Sequence, residues 1–273
     1  LCPGVPGRAD YLHYLMDFLT SNKANKLHGR QAEPAANVLD IGTGASGIYA
    51  LLASRLFNWQ VVASDISSHS LSNVEHILQA NPEIKRNVQL RHQPDKHAFF
   101  ANIIQADEHY DFTLCNPPFF ASEQEAQQAN RRKNANLKLE DSFNFSGQAN
   151  ELYCNGGEKL FIKKMIKESV LYAKQVTWFS CLVSNSNHLK PLTKQINKFN
   201  NAEVTTLSMQ HGNKISHTKD HLKKTKVIGG MLEKKANLPT IKLPAQNNVA
   251  HTSIAYALVF CILLTKSYRA IRI

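Results

Sequence analysis

The stretch that decides the fold is Val38-Leu39-Asp40-Ile41-Gly42-Thr43-Gly44-Ala45-Ser46-Gly47, in which an apolar strand runs into a glycine-rich turn. An apolar-periodic helix is predicted over 48–56, so the turn joins a strand to a helix. Gly42 and Gly44 let the backbone approach a ligand closely, and Gly47 suits tight packing of the helix on the strand. The pattern therefore predicts a cofactor-binding turn at the start of an α/β fold.

An acidic residue, Asp65, ends the next predicted strand, about 20 residues after the turn. Its carboxylate could accept hydrogen bonds from both hydroxyls of a ribose. A nicotinamide enzyme shows a similar acid, so this feature alone does not choose between a dinucleotide and S-adenosylmethionine. A second acid, Asp40, leads the glycines and favours S-adenosylmethionine, because that cofactor carries a cationic sulfonium and no pyrophosphate.

The tetrapeptide Asn116-Pro117-Pro118-Phe119 follows a strand predicted over 110–115 and indicates a chemistry. The exocyclic amine of adenine is a poor nucleophile, because its lone pair is delocalised into the ring. The side-chain carbonyl of Asn116 and the backbone carbonyl of Pro117 could accept the two amine hydrogens, while Phe119 offers a face for stacking. An ordinary strand-ending turn is the alternative interpretation, since Asn and Pro both favour turns.

Strand and helix patterns alternate along the chain, as a doubly wound sheet requires. Further helices are predicted over 11–19, 71–79, 157–170 and 189–199, and further strands over 88–91, 177–183 and 203–209. One large α/β domain is the expected organisation for a chain of 273 residues.

The glycine-rich turn and the Asn-Pro-Pro-Phe tetrapeptide belong to a longer series of motifs. The series is Leu1-Cys2-Pro3, Arg8-Ala9-Asp10-Tyr11, the turn over 40–47, Leu114-Cys115-Asn116-Pro117-Pro118-Phe119, Asn155-Gly156-Gly157-Glu158 and Phe161-Ile162-Lys163-Lys164-Met165-Ile166. Together, over roughly residues 1–216, these motifs resemble the bacterial 23S ribosomal RNA adenine-N6 methyltransferase family. That family is similar in turn to the eukaryotic adenine methyltransferases that act on small nuclear RNA.

The resemblance implies the Rossmann-like class I fold of S-adenosylmethionine-dependent methyltransferases, an α/β fold with a mostly parallel sheet of the seven-stranded type. It implies S-adenosylmethionine as methyl donor and an adenine of 23S ribosomal RNA as acceptor. The predicted catalytic residues are Asn116, Pro117 and Phe119, and the predicted donor-binding residues are Arg8, Asp40, Gly42, Gly44, Asp65 and Asp95.

Two of these donor-binding assignments have alternatives. Arg8, just ahead of the first predicted helix, would reach the carboxylate end of the donor with its guanidinium, in a bidentate geometry. A solvated surface arginine is the alternative for Arg8. Asp95, in Gln93-Pro94-Asp95, is a candidate for contact with the adenine of the cofactor, and a loop turn is its alternative.

Composition is compatible with an RNA partner. Lys and Arg number 32 against 21 Asp and Glu, and the formal net charge of +11 favours a polyanion. A reduced cytoplasmic setting is expected, because the cysteines form no C-x-x-C pair; they are Cys2, Cys115, Cys154, Cys181 and Cys261. We expect no metal, since the 12 histidines show no metal-binding spacing. A monomer without membrane association is also expected.

The chain begins at Leu1, inside a motif and without a secretory leader. We interpret it as a fragment that lacks the N-terminal segment with which the family helps to hold RNA.

Residues 121–157 form the stretch least like a regular element. Basic residues, among them Arg131 and Arg132, alternate there with aromatic ones such as Phe143 and Phe145. This mixture suits a loop that closes over a flipped base, although the aromatic side chains could instead anchor the loop on the core. In the helix that follows, the lysines at 163, 164 and 167 are predicted to form a solvated face rather than a specific RNA contact.

After Ser216 the chain departs from the family pattern. We therefore predict a methyltransferase domain over 1–216 and an atypical tail over 217–273. The family places an apolar closing strand here, and none is legible directly after Ser216. The later apolar run over 254–264 is too short for the ~20 residues of a membrane-spanning helix. It could be a strand, a hydrophobic tail or sequence from a shifted reading frame, and the abrupt change favours the last. Without insertion of this run, the tail is expected to be poorly ordered.

The leading functional prediction is S-adenosylmethionine-dependent N6-methylation of an adenine in 23S ribosomal RNA, with free RNA or a ribosome assembly intermediate as substrate. A catalytically impaired RNA-binding relic is the alternative from another class. A nicotinamide dehydrogenase is the third interpretation, and it leaves Asn-Pro-Pro-Phe without a role.

Overall fold

The computed structural model describes residues 5–21, 36–125, 127–128, 153–199, 202–209 and 256–263. The predictions for the basic and aromatic residues over 131–145, for Leu1-Cys2-Pro3 and for the segment 217–255 fall outside the described residues. The division into a domain over 1–216 and a tail stays a prediction.

The described residues form one sheet of seven strands with helices on both faces. The strands are β1 Asn37–Ile41, β2 Gln60–Asp65, β3 Val88–His92, β4 Tyr110–Cys115, β5 Val176–Val183, β6 Ala202–Met209 and β7 Tyr256–Leu263. The helices are α1 Val5–Ser21, α2 Ile48–Phe57, α3 Ser68–Gln79, α4 Pro82–Lys85, α5 Gly157–Ser169 and α6 Leu189–Ile196, with 3₁₀ turns at Val170–Tyr172 and Ser186–His188.

The spatial order of the strands is β3-β2-β1-β4-β5-β7-β6. The pairs from β3 to β5 are parallel, and β7 runs antiparallel to both of its neighbours. The chain builds outward from β1 in one direction and from β4 in the other, so β1 and β4 flank the topological switch point, where open α/β sheets bind ligands. The predicted α/β fold with a mostly parallel seven-stranded sheet is confirmed.

The closing strand is β7, and it begins at Tyr256 rather than directly after Ser216. Its register pairs Leu258 with Leu182 of β5 on one side and with Leu207 of β6 on the other. Of the three alternatives for the apolar run, the structure has the strand, whereas the sequence favoured a shifted reading frame. Insertion of β7 gives hydrogen-bonding partners to edges of β5 and β6 that would otherwise lack them.

Each face of the sheet has its own apolar core. Helices α1 to α4 cover one face, where Tyr11, Leu51, Trp59 and Phe112 are almost completely buried. Helices α5 and α6 cover the other face together with the segment around Phe100. Two-sided burial explains why the parallel strands are almost continuously apolar in sequence.

Two predicted helix starts were wrong for identifiable reasons. Helix α1 begins at Val5, so Arg8 lies within the helix and not ahead of it. Pro6 lies in the first turn of α1, where proline is tolerated because the N–H groups there lack intrahelical partners. Helix α3 begins at Ser68 instead of residue 71, because the Ser67 side chain accepts a hydrogen bond from the backbone N–H of Ser70.

Candidate active site

The glycine-rich turn is fastened to the end of β2 by its backbone. The N–H groups of Gly42 and Thr43 both donate to the carbonyl of Ser64 at 2.9 Å. Gly42 and Gly44 have φ of 69° and 66°, a region that costs most other residues free energy. A Cβ added at Gly42 would meet nothing within 4 Å, so the outer side of the turn is open to a ligand.

Gly47 has a different role from the one predicted for it. A Cβ at this position would lie 2.8 Å from Cγ1 of Val74, which belongs to α3. The glycine therefore permits close packing of α2 against another helix, not against a strand as the sequence suggested. Its φ of 56° adds a second reason for glycine.

The Asp65 carboxylate holds two loops together. Oδ2 accepts a hydrogen bond from the N–H of Gly44 at 2.9 Å, and Oδ1 accepts one from the N–H of Ser67 at 2.8 Å. Burial raises the pKa of Asp65, and these backbone hydrogen bonds oppose the rise. Each carboxylate oxygen has a further lone pair, so Asp65 retains the capacity to accept from a ribose hydroxyl.

Asp40 is also buried, but its hydrogen bonding differs from that of Asp65. Its side chain is completely buried, and neither carboxylate oxygen has a hydrogen-bond partner among the residues that the structure describes. Burial raises the pKa of Asp40 to about 7, the charge of Asp65 adds to the rise, and the nearby Thr43 hydroxyl opposes it. The Thr43 hydroxyl makes no hydrogen bond of standard geometry within the described part of the chain.

An unsatisfied buried carboxylate calls for an explanation, because its desolvation costs free energy. A ligand that brings an N–H donor or a positive charge would satisfy Asp40. S-adenosylmethionine carries an ammonium group and a sulfonium, so the residues at this turn fit the donor that the sequence implied.

Arg8 projects from α1 towards the start of α2. Its guanidinium carbon lies 5.9 Å from the ring centroid of Tyr49, the second residue of α2. The Nε of Arg8 is buried and makes no hydrogen bond to any described residue. The side chain therefore lies beside the helix that the glycine-rich turn introduces, with donor groups left for an anion.

The predicted acceptor tetrapeptide, residues 116–119, leaves the sheet beside the glycine-rich turn. In the β1–β4 pair, Ile41 is the register partner of Cys115. Gly42 and Asn116 are the next residues on adjacent strands, which lie about 4.8 Å apart. The structure thus brings together the predicted donor turn and the predicted acceptor residues Asn116, Pro117 and Phe119 at one edge of the sheet.

The side chains of this tetrapeptide differ in exposure. Pro117 and Pro118 are buried, whereas Asn116 and Phe119 are half-buried. The Asn116 amide makes no hydrogen bond within the described residues. Two rigid prolyl residues therefore present a polar side chain that still has its hydrogen-bonding capacity.

The segment ahead of α5 holds the tetrapeptide from its far side. Phe120 forms a β-bridge with Tyr153, and the N–H of Cys154 donates to the carbonyl of Phe120 at 3.0 Å. The N–H of Gly157 then donates to the carbonyl of Cys154 at 2.8 Å. The motif around Gly157 therefore positions the residues that follow Phe119.

Two sets of long-range contacts at this edge were missed from the sequence. Glu158 is buried and accepts from the N–H of Ser184 at 2.6 Å, while its other oxygen lies 2.6 Å from Nδ1 of His188. The Tyr11 hydroxyl is hydrogen bonded to Ser180 Oγ at 2.7 Å. Glu158 and Tyr11 both lie in motifs that carry the family resemblance. Membership in those motifs was the only sequence feature that could have indicated these contacts.

Asp95 lies in a turn after β3. Its Oδ1 accepts from the N–H of His97 at 2.8 Å, and its carbonyl accepts from the N–H of Ala98 at 3.1 Å. The Asp95 side chain is exposed. This geometry matches the turn alternative, and contact of Asp95 with the cofactor stays a prediction.

The described part of the chain has no group of three or more His, Cys, Asp or Glu side chains arranged to hold a metal ion. Among its helices, none combines the length and apolar character needed to cross a membrane.

Sequence relatives share most of this chain. A family model described as RNA methyltransferase matches residues 1–219. A Saccharophagus degradans protein named ribosomal RNA large subunit methyltransferase F is 47% identical over 227 residues, which cover 78% of this chain and 71% of the relative. A Shewanella baltica protein of the same name is 46% identical over 224 residues, covering 79% of this chain and 60% of the relative. The chain thus spans less than two thirds of the Shewanella protein.

Solved structures share the fold. The human Mettl16 catalytic domain in complex with MAT2A 3′UTR hairpin 1 superposes with a TM-score of 0.67 at 22% identity, over 97% of this chain and 72% of that one. The N-terminal domain of human METTL16 in complex with SAH superposes with a TM-score of 0.58 at 20% identity, over 95% of this chain and 71% of that one. The predicted class I methyltransferase fold and the motif resemblance are confirmed.

Proposed function

Because the chain belongs to the RNA methyltransferase family, we propose that it transfers a methyl group from S-adenosylmethionine to the exocyclic N6 of a specific adenine in 23S ribosomal RNA. The observation that carries the proposal is the pairing of Ile41 with Cys115 in adjacent parallel strands. The next residue after Ile41 begins the glycine-rich turn and the next after Cys115 is Asn116, so the two motifs lie side by side. The names of the relatives, which specify large-subunit ribosomal RNA, support the substrate class.

The donor site is proposed to use both carboxylates and one arginine. Asp65 would accept hydrogen bonds from the ribose, Asp40 would face the positive end of the donor, and Arg8 would bind its carboxylate. S-adenosylmethionine, when bound, supplies a methyl group on a cationic sulfur. Gly42 keeps the wall of the site free of side-chain atoms, as its open surroundings suggest.

The acceptor amine is proposed to lie against Asn116, Pro117 and Phe119. Hydrogen bonds from N6 to the Asn116 side-chain carbonyl and the Pro117 backbone carbonyl would orient the amine, and Phe119 would stack on the base. The amine held by these residues would accept the methyl group that S-adenosylmethionine supplies, and alignment can provide roughly 7–11 kcal/mol in favourable systems. No side-chain base would be required, because the methylated amine carries a positive charge and would lose its proton readily to water.

The partner is proposed to be 23S ribosomal RNA, free or within an assembly intermediate, and the protein is proposed to act as a cytoplasmic monomer. The net charge of +11 supports a polyanionic partner.

The test is methyl transfer from radiolabelled S-adenosylmethionine to 23S ribosomal RNA that lacks the modification, followed by nucleoside analysis. We expect the label on the N6 of adenine. Label on cytosine or guanine would contradict the acceptor assignment. Donor binding by calorimetry without any transfer would instead support the RNA-binding relic, and absence of donor binding would reject the family's cofactor for this chain.

A further inference from the structure

The surface of α5 and α6 carries only one sign of charge. Between residues 153 and 199 the sequence has eight lysines and two acids, Glu158 and Glu168. Six of the lysines on or next to the two helices are exposed: Lys159, Lys164, Lys167, Lys190, Lys194 and Lys198. We refer to these six as the α5–α6 lysine surface.

Neither acid forms an ion pair with these lysines, because both carboxylates contact other groups. Glu158 is buried and contacts Ser184 and His188. The Glu168 carboxylate accepts three hydrogen bonds at 2.9 Å from consecutive backbone N–H groups, those of residues 99–101. No ion pair within the described residues involves any of the six lysines.

The two helices form one continuous surface. Both pack on the same core through Ile162 and Leu192, and Gln195 Nε2 donates to the carbonyl of Lys163 at 2.8 Å. Lys190 and Lys194 lie four residues apart on α6, and Lys198 follows the end of that helix. Four-residue spacing places helical neighbours about 6 Å apart on one side, and like charges so arranged repel each other.

The opposite face of the sheet is different. Helices α1 to α4 carry Asp10, Asp17, Glu75 and Glu83 among their basic residues, and Lys85 pairs with Glu75 at 2.7 Å. An ordinary solvated surface mixes the two signs in this way. The excess of exposed lysines on α5 and α6 is therefore a local property and not a consequence of the overall composition.

The lysine surface begins at the active-site edge. A Cβ at Gly157, the first residue of α5, would lie 3.4 Å from Ala121, two residues after Phe119. Both α5 and α6 follow the carboxyl end of a strand and lead to the amino end of the next parallel one. The lysines thus extend from the acceptor site along the side of the sheet.

We infer that the α5–α6 lysine surface binds the phosphate backbone of the RNA that flanks the target nucleotide. This inference rests on the proposed function. Lysine contacts to phosphate supply affinity and orientation without reading sequence, which suits a surface that has several point charges. RNA would then be held on two sides of the methylated base.

The experiment measures binding of the full 273-residue chain to a fluorescein-labelled RNA hairpin by anisotropy, at several KCl concentrations. The variant Lys167→Gln/Lys194→Gln removes two charges from the lysine surface. The matched control, Arg55→Gln/Arg86→Gln, removes two exposed charges from the opposite face. Circular dichroism checks that both variants remain folded.

We expect the lysine variant to reduce the slope of log affinity against log salt by about 2, roughly one for each lost phosphate contact, and the control to leave it nearly unchanged. Equal slopes in both variants would overturn the inference. Polyglutamate provides a second way to overturn the inference. If it competes with the labelled hairpin as strongly as unlabelled RNA does, and the lysine variant loses this competition, the surface would suit an acidic protein instead. The hairpin needs no target adenine, so failure of the methylation assay is a separate result.

Discussion

The two sides of the β1–β4 junction hold their side chains in opposite ways. On the β1 side, the glycine-rich turn is fixed by Ser64 and Asp65 through backbone hydrogen bonds. On the β4 side, Asn116 is half-buried and makes no side-chain hydrogen bond within the described residues. The backbone of the glycine-rich turn is therefore held by the protein itself, whereas Asn116 keeps hydrogen-bonding capacity that the proposed acceptor amine would use.

This difference has an energetic meaning. The geometry of the turn is fixed by hydrogen bonds that form on folding, so substitutions there should change both the stability of the protein and its affinity for the donor. An unsatisfied acceptor residue contributes little to folding, so a change there should appear in turnover. The predictions below test this separation, from the largest expected effect to the smallest.

The largest effect is expected for Asn116→Ala. Turnover should fall about 10²–10³-fold, the range for loss of one aligned hydrogen bond in a transition state. Donor affinity and melting temperature should change little, because the Asn116 side chain makes no hydrogen bond to the glycine-rich turn or to any other described residue. Single-turnover kinetics and calorimetry measure the two quantities.

Asn197→Ala is the matched control, since Asn197 is exposed and follows α6 far from the site. If Asn116→Ala weakens donor binding as much as turnover, the separation of the two sides is wrong.

The next effect concerns Gly47→Ala on the donor side. The added Cβ would lie 2.8 Å from Val74 at a φ of 56°. Crowding and the left-handed backbone should together lower the free energy of unfolding by about 2–4 kcal/mol. Urea unfolding measures the loss.

Val74→Ala in the Gly47→Ala background should restore part of this stability, because it removes the crowded methyl groups. Gly42→Ala is the contrasting variant: it shares the cost of a left-handed backbone, at a φ of 69°, but its Cβ meets nothing within 4 Å, so its loss of stability should be smaller than that of Gly47→Ala while donor affinity falls. Equal loss of stability in both glycine variants would contradict the assignment of Gly42 to the ligand side.

Asp40 makes the stability of the donor side depend on pH. Its pKa is about 7 in the folded protein against an ordinary value of 3.8. The folded state therefore keeps a proton that the unfolded chain releases, so this contribution is complete below about pH 4 and is lost as pH rises through 7. Between pH 5 and pH 7 the loss should be about 2 kcal/mol, because the full slope of 1.36 kcal/mol per pH unit falls to half as pH reaches the pKa.

Urea unfolding at pH 5, 6, 7 and 8 measures this dependence, and Asp40→Asn should remove it. Asp65 also has a raised pKa and remains in both proteins, so the difference between the two curves isolates Asp40. Parallel curves for the wild type and the variant would show that Asp40 is ionised in the folded protein at all of these pH values.

The sequence predicted the parts of this site that depend on local patterns. Strand β4 was predicted with its observed bounds and β2 with its observed last residue, because buried parallel strands are continuous apolar runs that end in polar or turn residues. Gly42 directly follows β1, and Asn116 directly follows β4. Their juxtaposition follows from the rule that parallel strands share a carboxyl edge, together with the pairing of β1 with β4.

Other features depend on contacts that no local pattern encodes. The apolar run at β7 does not specify its neighbours, so its place between β5 and β6 could not be derived from the run itself. The difference between Asp40 and Asp65 is of the same kind. Both are buried acids at strand ends, and only the fold determines that Asp65 meets two N–H groups while Asp40 meets none among the described residues.

The smallest effect is expected for Asp65→Ala, where affinity for S-adenosylmethionine should fall by about 1–3 kcal/mol, the range for hydrogen bonds to a charged group. The same change also frees the N–H groups of Gly44 and Ser67, so some stability should be lost with it. Asp65→Asn separates these roles, because the amide oxygen can still accept from one N–H group but lacks the charge. If Asp65→Asn recovers stability but not donor affinity, the carboxylate binds the ribose as well as the turn. Donor affinity equal to that of the wild type in the alanine variant would remove Asp65 from the donor site and leave it only the role of joining the two loops.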